Sequence, residues 1–373
     1  MQRSFVISMC LSGFSGILVA DSVDNDLRAV QGVGKEGAGF VEARSAMTRL
    51  KNLPASEVTR VLDAFGSANP VARNWLRGVV AGMLRSDRPP QKAAFQQYFL
   101  DRSKNPEGRG LAAELLVQLD PSVGKSLLDQ ALDDPSLPVR AMAVEQAIER
   151  AKDLEDSAAA IQEYRRILES ARHPRQVSEI LAALKKRDEV IRPIDHFKFI
   201  PKWWTLAPFD NVGGGGFHQV YPVEEQFVKD GTVELAAKFA GKKGSIEWRE
   251  VVSEADDGKI DLNPVYNKEK GAVCYVYAEL VVDKPQAAQV RLGCICANKV
   301  WINGNQVLAN EVYHTGSMID QYMAEVELKE GVNRILAKIC QNEQTESWAQ
   351  DWDFQLRITD PTGKGLVSLA KSN

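Results

Sequence analysis

Histidine is scarce in this chain: His173, His196, His218 and His314 are the four in 373 residues, and none stands at metal-pair spacing. No Gly-x-Ser-x-Gly elbow raises a nucleophilic serine. Gly124-Lys125-Ser126 ends like a phosphate loop, but Leu119 occupies the place of its first glycine and no strand precedes it. Gly213–Gly216 reads as a flexible loop and not a dinucleotide fingerprint, because no helix is expected to follow. A basic surplus is missing too: 46 Lys+Arg against 50 Asp+Glu leave a net charge of −4. Charge balances over residues 21–190, and the acidic excess lies in 191–373. Without a basic footprint to neutralise phosphates, nucleic acid is not an expected partner. No cofactor and no metal is implied.

Long apolar runs are equally few. Arg3 is followed by the uncharged stretch from Phe5 to Val19, and Ala20 before Asp21 offers a cleavage point, the plan of an export signal over 1–20. No later segment approaches the ~20 apolar residues of a membrane span. The expectation is a secreted protein, periplasmic or extracellular, whose residues 21–40 form a flexible N-terminal segment. If Cys10 leaves with the signal, Cys274, Cys294, Cys296 and Cys340 remain, all in the second half. An even count in an oxidising compartment permits disulfides, and four free thiols in a β core are the equal alternative. Cys-Ile-Cys lacks the spacer of a zinc knuckle.

What is present divides in two. From 41 to 190, Ala and Leu recur at helical spacing: Val58, Val61, Leu62 and Phe65 repeat at i, i+3, i+4, i+7, and Val177, Ile180, Leu181 and Leu184 do so again. Asn69-Pro70, Asn105-Pro106 and the Asp134–Pro138 stretch each put a polar cap and proline before a new helix. Arg73, Arg109 and Arg140 follow these breaks, 36 and then 31 residues apart. A unit of that length predicts an α-solenoid. The run Asp133–Val144 resembles the core of a HEAT repeat, which implies a curved surface able to bind a protein partner or to serve as a platform. The unit near Pro106 is degenerate, with Gly108 and Gly110 where helix formers are expected.

From 191 to 373 the period changes to two. Cys274, Val276, Ala278, Leu280 and Val282 alternate, as do Val290, Leu292 and Cys294, then Tyr322 to Leu328, Ile335 to Ile339, and Phe354 to Ile358. Turns at Asn303-Gly304, Glu330-Gly331 and Thr362-Gly363 bound them, which predicts an antiparallel β-sandwich. Six of the seven tryptophans lie here. The segments Phe199–Asn211, Glu247–Arg249, Asp256–Leu262, Arg291–Gly304 and Gly331–Ile339 together resemble the galactose-binding-like jelly roll of secreted bacterial proteins. That fold is related to the non-catalytic sugar-binding domain of family 2 glycoside hydrolases. Lys299-Val300-Trp301-Ile302-Asn303-Gly304 is its most specific part, and its residues shape a tight type I′ turn. Relatives often carry small and acidic residues after Arg-Leu-Gly, where this chain has Cys294-Ile295-Cys296, so a ligand or calcium contact there does not carry over.

The fold class expected is thus multidomain α plus β, an N-terminal HEAT-like solenoid and a C-terminal jelly-roll sandwich. Function follows as binding without catalysis, to a glycan, polysaccharide or cell surface. Trp203, Trp204, Trp348 and Trp352 are the candidate stacking platforms, with Asp210, Asn211 and Asp353 as polar partners; core packing is the competing role of the tryptophans. The other readings are a protein-binding scaffold built on the repeats and a glycan hydrolase. Asp256, Asp257 and Asp261 suit a turn as well as an acid pair, and no barrel of ~250 residues fits beside the helices.

Overall fold

The computed structural model describes residues 14–366, so 1–13, most of the expected export signal, lie outside the described residues. The chain divides into two compact units, 1–171 and 172–373.

The first unit is helical. Its helices are α1 (Phe14–Gln31), α2 (Phe40–Leu50), α3 (Val58–Asp63), α4 (Pro70–Leu84), α5 (Lys92–Leu100), α6 (Pro106–Leu119), α7 (Pro121–Leu128), α8 (Leu137–Lys152) and α9 (Ser157–Ser170). Residues 21–40 correct the expectation of a flexible segment. Helix α1 runs through Gln31, burying Val23, Leu27 and Val30 at i, i+4, i+7, and Asp26 accepts a bidentate pair from Arg49 on α2 at 2.6 and 2.9 Å. That single apolar stripe supplies the burial that orders the segment.

The polar caps work in two directions. Asn69 Oδ1 accepts from the N–H groups of Val71 and Ala72, while its Nδ2 donates 2.6 Å back to the Val33 carbonyl. Asn105 accepts from Gly108 N–H and donates to the Leu62 carbonyl. Ser136 accepts from Val139 N–H and donates to the Pro106 carbonyl. Each cap thus satisfies an orphan donor of its own helix and ties that helix to a segment at least 30 residues earlier. The spaced arginines also act alike, with Nε of Arg73, Arg109 and Arg140 donating to the carbonyls of Ala68, Phe99 and Asp134 respectively. Gly108 and Gly110, apparent defects in the sequence, are required. A Cβ on Gly108 would lie 2.5 Å from the Leu62 carbonyl oxygen, and one on Gly110 2.5 Å from Pro138 Cβ.

The second unit opens with α10 (Pro174–Lys185) and α11 (Pro193–Phe197). Its strands are β1 (Lys202–Asp210), β2 (Lys238–Gly241), β3 (Gly244–Glu247), β4 (Arg249–Val252), β5 (Ile260–Asp261), β6 (Ala272–Val282), β7 (Gln286–Cys294), β8 (Ala297–Ile302), β9 (Asn305–Asn310), β10 (Tyr322–Leu328), β11 (Gly331–Gln341), β12 (Asp353–Thr359) and β13 (Gly365–Leu366). One antiparallel sheet has the order β4-β1-β6-β11-β8-β9; a second runs β10-β7-β12-β13 with β5 on β12. One apolar cluster draws on both sheets, from Cys274, Val276 and Ala337 on one side to Val290, Leu292 and Leu356 on the other. Asn303 and Gly304 both adopt positive φ in the β8–β9 turn. Val300 and Ile302 face this shared core while Trp301 faces the opposite layer.

That opposite layer was not visible in the sequence. The stretch after β1 is not a free glycine loop: Gly215–His218 forms a short helix, α12, and Pro222–Asp230 a second, α13. Phe217, Val223, Phe227 and Trp248 cover the outer face of the six-stranded sheet against Phe209, Tyr275 and Trp301. Lys338, fully buried on β11, fastens this cover. Its ammonium donates to the carbonyls of Phe217 and Gln219 and to the Glu224 carboxylate, at 3.2, 2.6 and 3.0 Å. Tyr275 donates to the same carboxylate at 2.5 Å.

Candidate functional site

The seven expected ligand residues scatter by burial. Trp203 is wholly buried in the shared core, donating Nε1–H to the Ile200 carbonyl at 2.9 Å and meeting Phe354 edge-on. Trp352 is wholly buried too, tilted against Tyr266. Trp204 is half-buried against the outer layer. Asn211, also buried, donates Nδ2–H to the Gln341 carbonyl and the Tyr313 hydroxyl, a knot between loops. Trp203, Trp352 and Asn211 are thus enclosed, and Trp204 is enclosed in part.

Three reach solvent. Asp210 is exposed at the end of β1, 3.7 Å from Lys242. Asp353 is mostly buried, and burial pushes its carboxyl up to about 6; Lys259 at 3.9 Å opposes that shift while Asp351, Asp261 and Asp257 add to it. Trp348 is 57% exposed on a one-turn helix, Ser347–Ala349, with His314 packed edge-on at 5.0 Å.

Several loops buttress Trp348. Lys270 donates to the Ala349 carbonyl and Asn263 to that of Gln350. Gln350 closes its own loop through the Thr345 and Glu346 carbonyls. His314, at positive φ, donates its backbone N–H to the Ile295 carbonyl at 2.9 Å, and Gly213 N–H donates to Glu343. The result is an indole held out from a fixed frame, a shape that stacks on a flat apolar surface. His314 has no sequence signal that could single it out; it is paired with Trp348 only by the meeting of two loops.

A groove of about 580 Å³ lies between the β2–β3 hairpin and the 265–269 loop. Its carboxylates are ion-paired: Glu247 with Lys238 at 3.6 Å and Glu269 with Lys243 at 2.6 Å. These residues carry no sequence motif, being drawn from three separate segments.

Cys274, Cys294, Cys296 and Cys340 are all buried free thiols, so the disulfide alternative is not the arrangement seen. Burial pushes the Cys340 thiol up to about 12 and raises that of Cys274 further, which leaves them without nucleophilic thiolate at neutral pH. Among the described residues, no group of three or more His, Cys, Asp or Glu side chains is placed to hold a metal ion, and no helix is long and apolar enough to cross a membrane.

No family model and no curated protein matches the chain. Solved structures align with parts of it. An anti-sigma factor domain-containing protein shares 15% identity at TM-score 0.26, over 35% of this chain and 43% of its own. A β-glucuronidase from an uncultured Clostridium sp. shares 9% at 0.26, over 44% and 28%. A β-glucosidase from Kluyveromyces marxianus in complex with glucose shares 10% at 0.23, over 29% and 14%. This chain spans less than half the length of each.

Proposed function

We propose that the protein is an exported, non-catalytic binding protein of bacterial type, in which a HEAT-like array carries a galactose-binding-like jelly roll that recognises carbohydrate at its loop end. The observation that carries this reading is Trp348, exposed by 57% on a loop braced from three sides. Leaving so large an apolar surface in water costs stability, and a sugar ring stacked on the indole would recover it.

A scaffold function on the helical unit is the second reading, favoured by Phe40 and Val41, 47% and 71% exposed at the start of α2. Affinity electrophoresis separates the two. The protein should be retarded in gels containing a β-glucan, mannan, galactan or xylan, and Trp348→Ala should lose most of that retardation. Unretarded wild type in every gel, or a Trp348→Ala variant that migrates like wild type, would sink the carbohydrate reading at this loop.

A further inference from the structure

The loop that walls the groove ends at Lys270, which braces the turn of Trp348, and this says how a sugar chain would lie. The hairpin tip is bonded to the loop that follows β5. Lys242 donates its backbone N–H to the Pro208 carbonyl, and its ammonium to the Lys270 and Gly271 carbonyls at 2.7 and 2.8 Å. The next link is Lys270 itself, whose ammonium donates to Ala349 beside Trp348. Hairpin, loop and the turn that carries Trp348 are therefore braced to one another. The groove floor is equally fixed: Tyr266 is nearly buried, with its hydroxyl 2.8 Å from Thr205 Oγ1 and the Arg249 guanidinium over its ring.

We infer that the groove between the β2–β3 hairpin and the 265–269 loop is the inner subsite of an extended site for an oligosaccharide, with Trp348 as its outer platform. This rests on the carbohydrate reading above and adds where the chain lies. At about 580 Å³ the groove falls within the size range of small-ligand sites. Lys238 and Lys243 stand against Glu247 and Glu269, with Arg249 beside them, so the groove presents both donors and acceptors to which sugar hydroxyl groups can bond. Pro208, Ile246 and Val265 supply apolar wall for the ring faces.

Ser245 is exposed on the groove's hairpin wall, so Ser245→Trp fills the groove without touching a core. Calorimetric titration with cellobiose, mannobiose, galactobiose and xylobiose, and with the matching polymers, tests the assignment. Ser245→Trp should weaken both disaccharide and polymer about tenfold or more, as loss of a central contact does. Trp348→Ala should weaken the polymer and leave the disaccharide nearly unchanged. Lys243→Ala, which opens the same groove without added bulk, should also weaken the disaccharide and covers the case of a misfolded Ser245→Trp. Wild-type disaccharide affinity in both groove variants would overturn the groove and leave carbohydrate binding standing. Wild-type protein silent toward every polymer would overturn both.

Discussion

Arg109→Met should remove much of the helical unit's margin of stability. The Arg109 and Asp134 side chains are 2% and 3% exposed and meet through two bonds of 2.7 Å. The same guanidinium gives the Phe99 carbonyl two further bonds, at 3.0 and 2.8 Å. With the arginine gone, Asp134 keeps the Ser136 N–H as its close donor, at 2.8 Å, while the nearest remaining cation, Arg102, stands 4.0 Å away, beyond hydrogen-bond reach. An unpaired buried carboxylate costs about 3–5 kcal/mol, and the Phe99 carbonyl loses its side-chain donors, so the total is about 4 kcal/mol or more. For a unit of this size that corresponds to a fall in Tm of roughly 8–16 °C. Thermal unfolding of the full chain, followed by circular dichroism at 222 nm, reads it. Removing both charges in Arg109→Met/Asp134→Leu should recover a good part of the loss, because the cost lies in the orphaned charge. Arg109→Lys should fall between, since an ammonium cannot hold the carboxylate in a fork and reach the carbonyl as well. A loss below about 1 kcal/mol in the single variant, or a double variant no better than it, would refute the reasoning.

Two further perturbations follow from the second unit. Asp353 has a folded pKa of about 6, above the ordinary 3.8, so the folded state holds its proton longer than the unfolded state does. The stabilisation this gives is complete below pH 4 and is lost as pH rises to 6, a swing of up to about 3 kcal/mol. Asp353→Asn should therefore gain stability over wild type at pH 7 and gain little at pH 4; equal urea midpoints at both values would exclude this titration. Lys338→Met removes three bonds from the α12–α13 cover and leaves Glu224 buried, a loss of about 3–5 kcal/mol. Urea unfolding monitored by tryptophan emission suits it, because Trp248 and Trp301 lie in that layer, and an unchanged midpoint would contradict the role given to Lys338.

Much of the fold was legible because its residues repeat at a period. The alternation along 272–282 and 331–341 gives two long strands that pair with each other, and Asn303-Gly304 marks the turn between β8 and β9. Helix α1 was missed because Asp, Asn and Ser fill the positions around Val23, Leu27 and Val30 and mask the stripe. The outer layer was missed for a different reason. Phe217, Val223, Phe227 and Trp248 come from pieces too short to show any period. At the site, composition offered Trp203, Trp204, Trp348 and Trp352 on equal terms. Strand register turns the first into the core, and loop packing leaves Trp348 in water, neither of which is written in residue type. The groove was illegible altogether, since its walls come from segments separated in sequence.

The two-way caps of the helical unit bear on how such a chain can change length. Asn105 holds its own helix by a bond to Gly108 and an earlier turn by a bond to Leu62. A single residue inserted between Leu62 and Asn105 would slide one end of that clasp relative to the other, breaking register on both sides at once. A whole helix pair inserted with its own cap would break neither. A change of length in this part of the protein thus meets the clasp at Asn105 on two sides, through Leu62 and through Gly108.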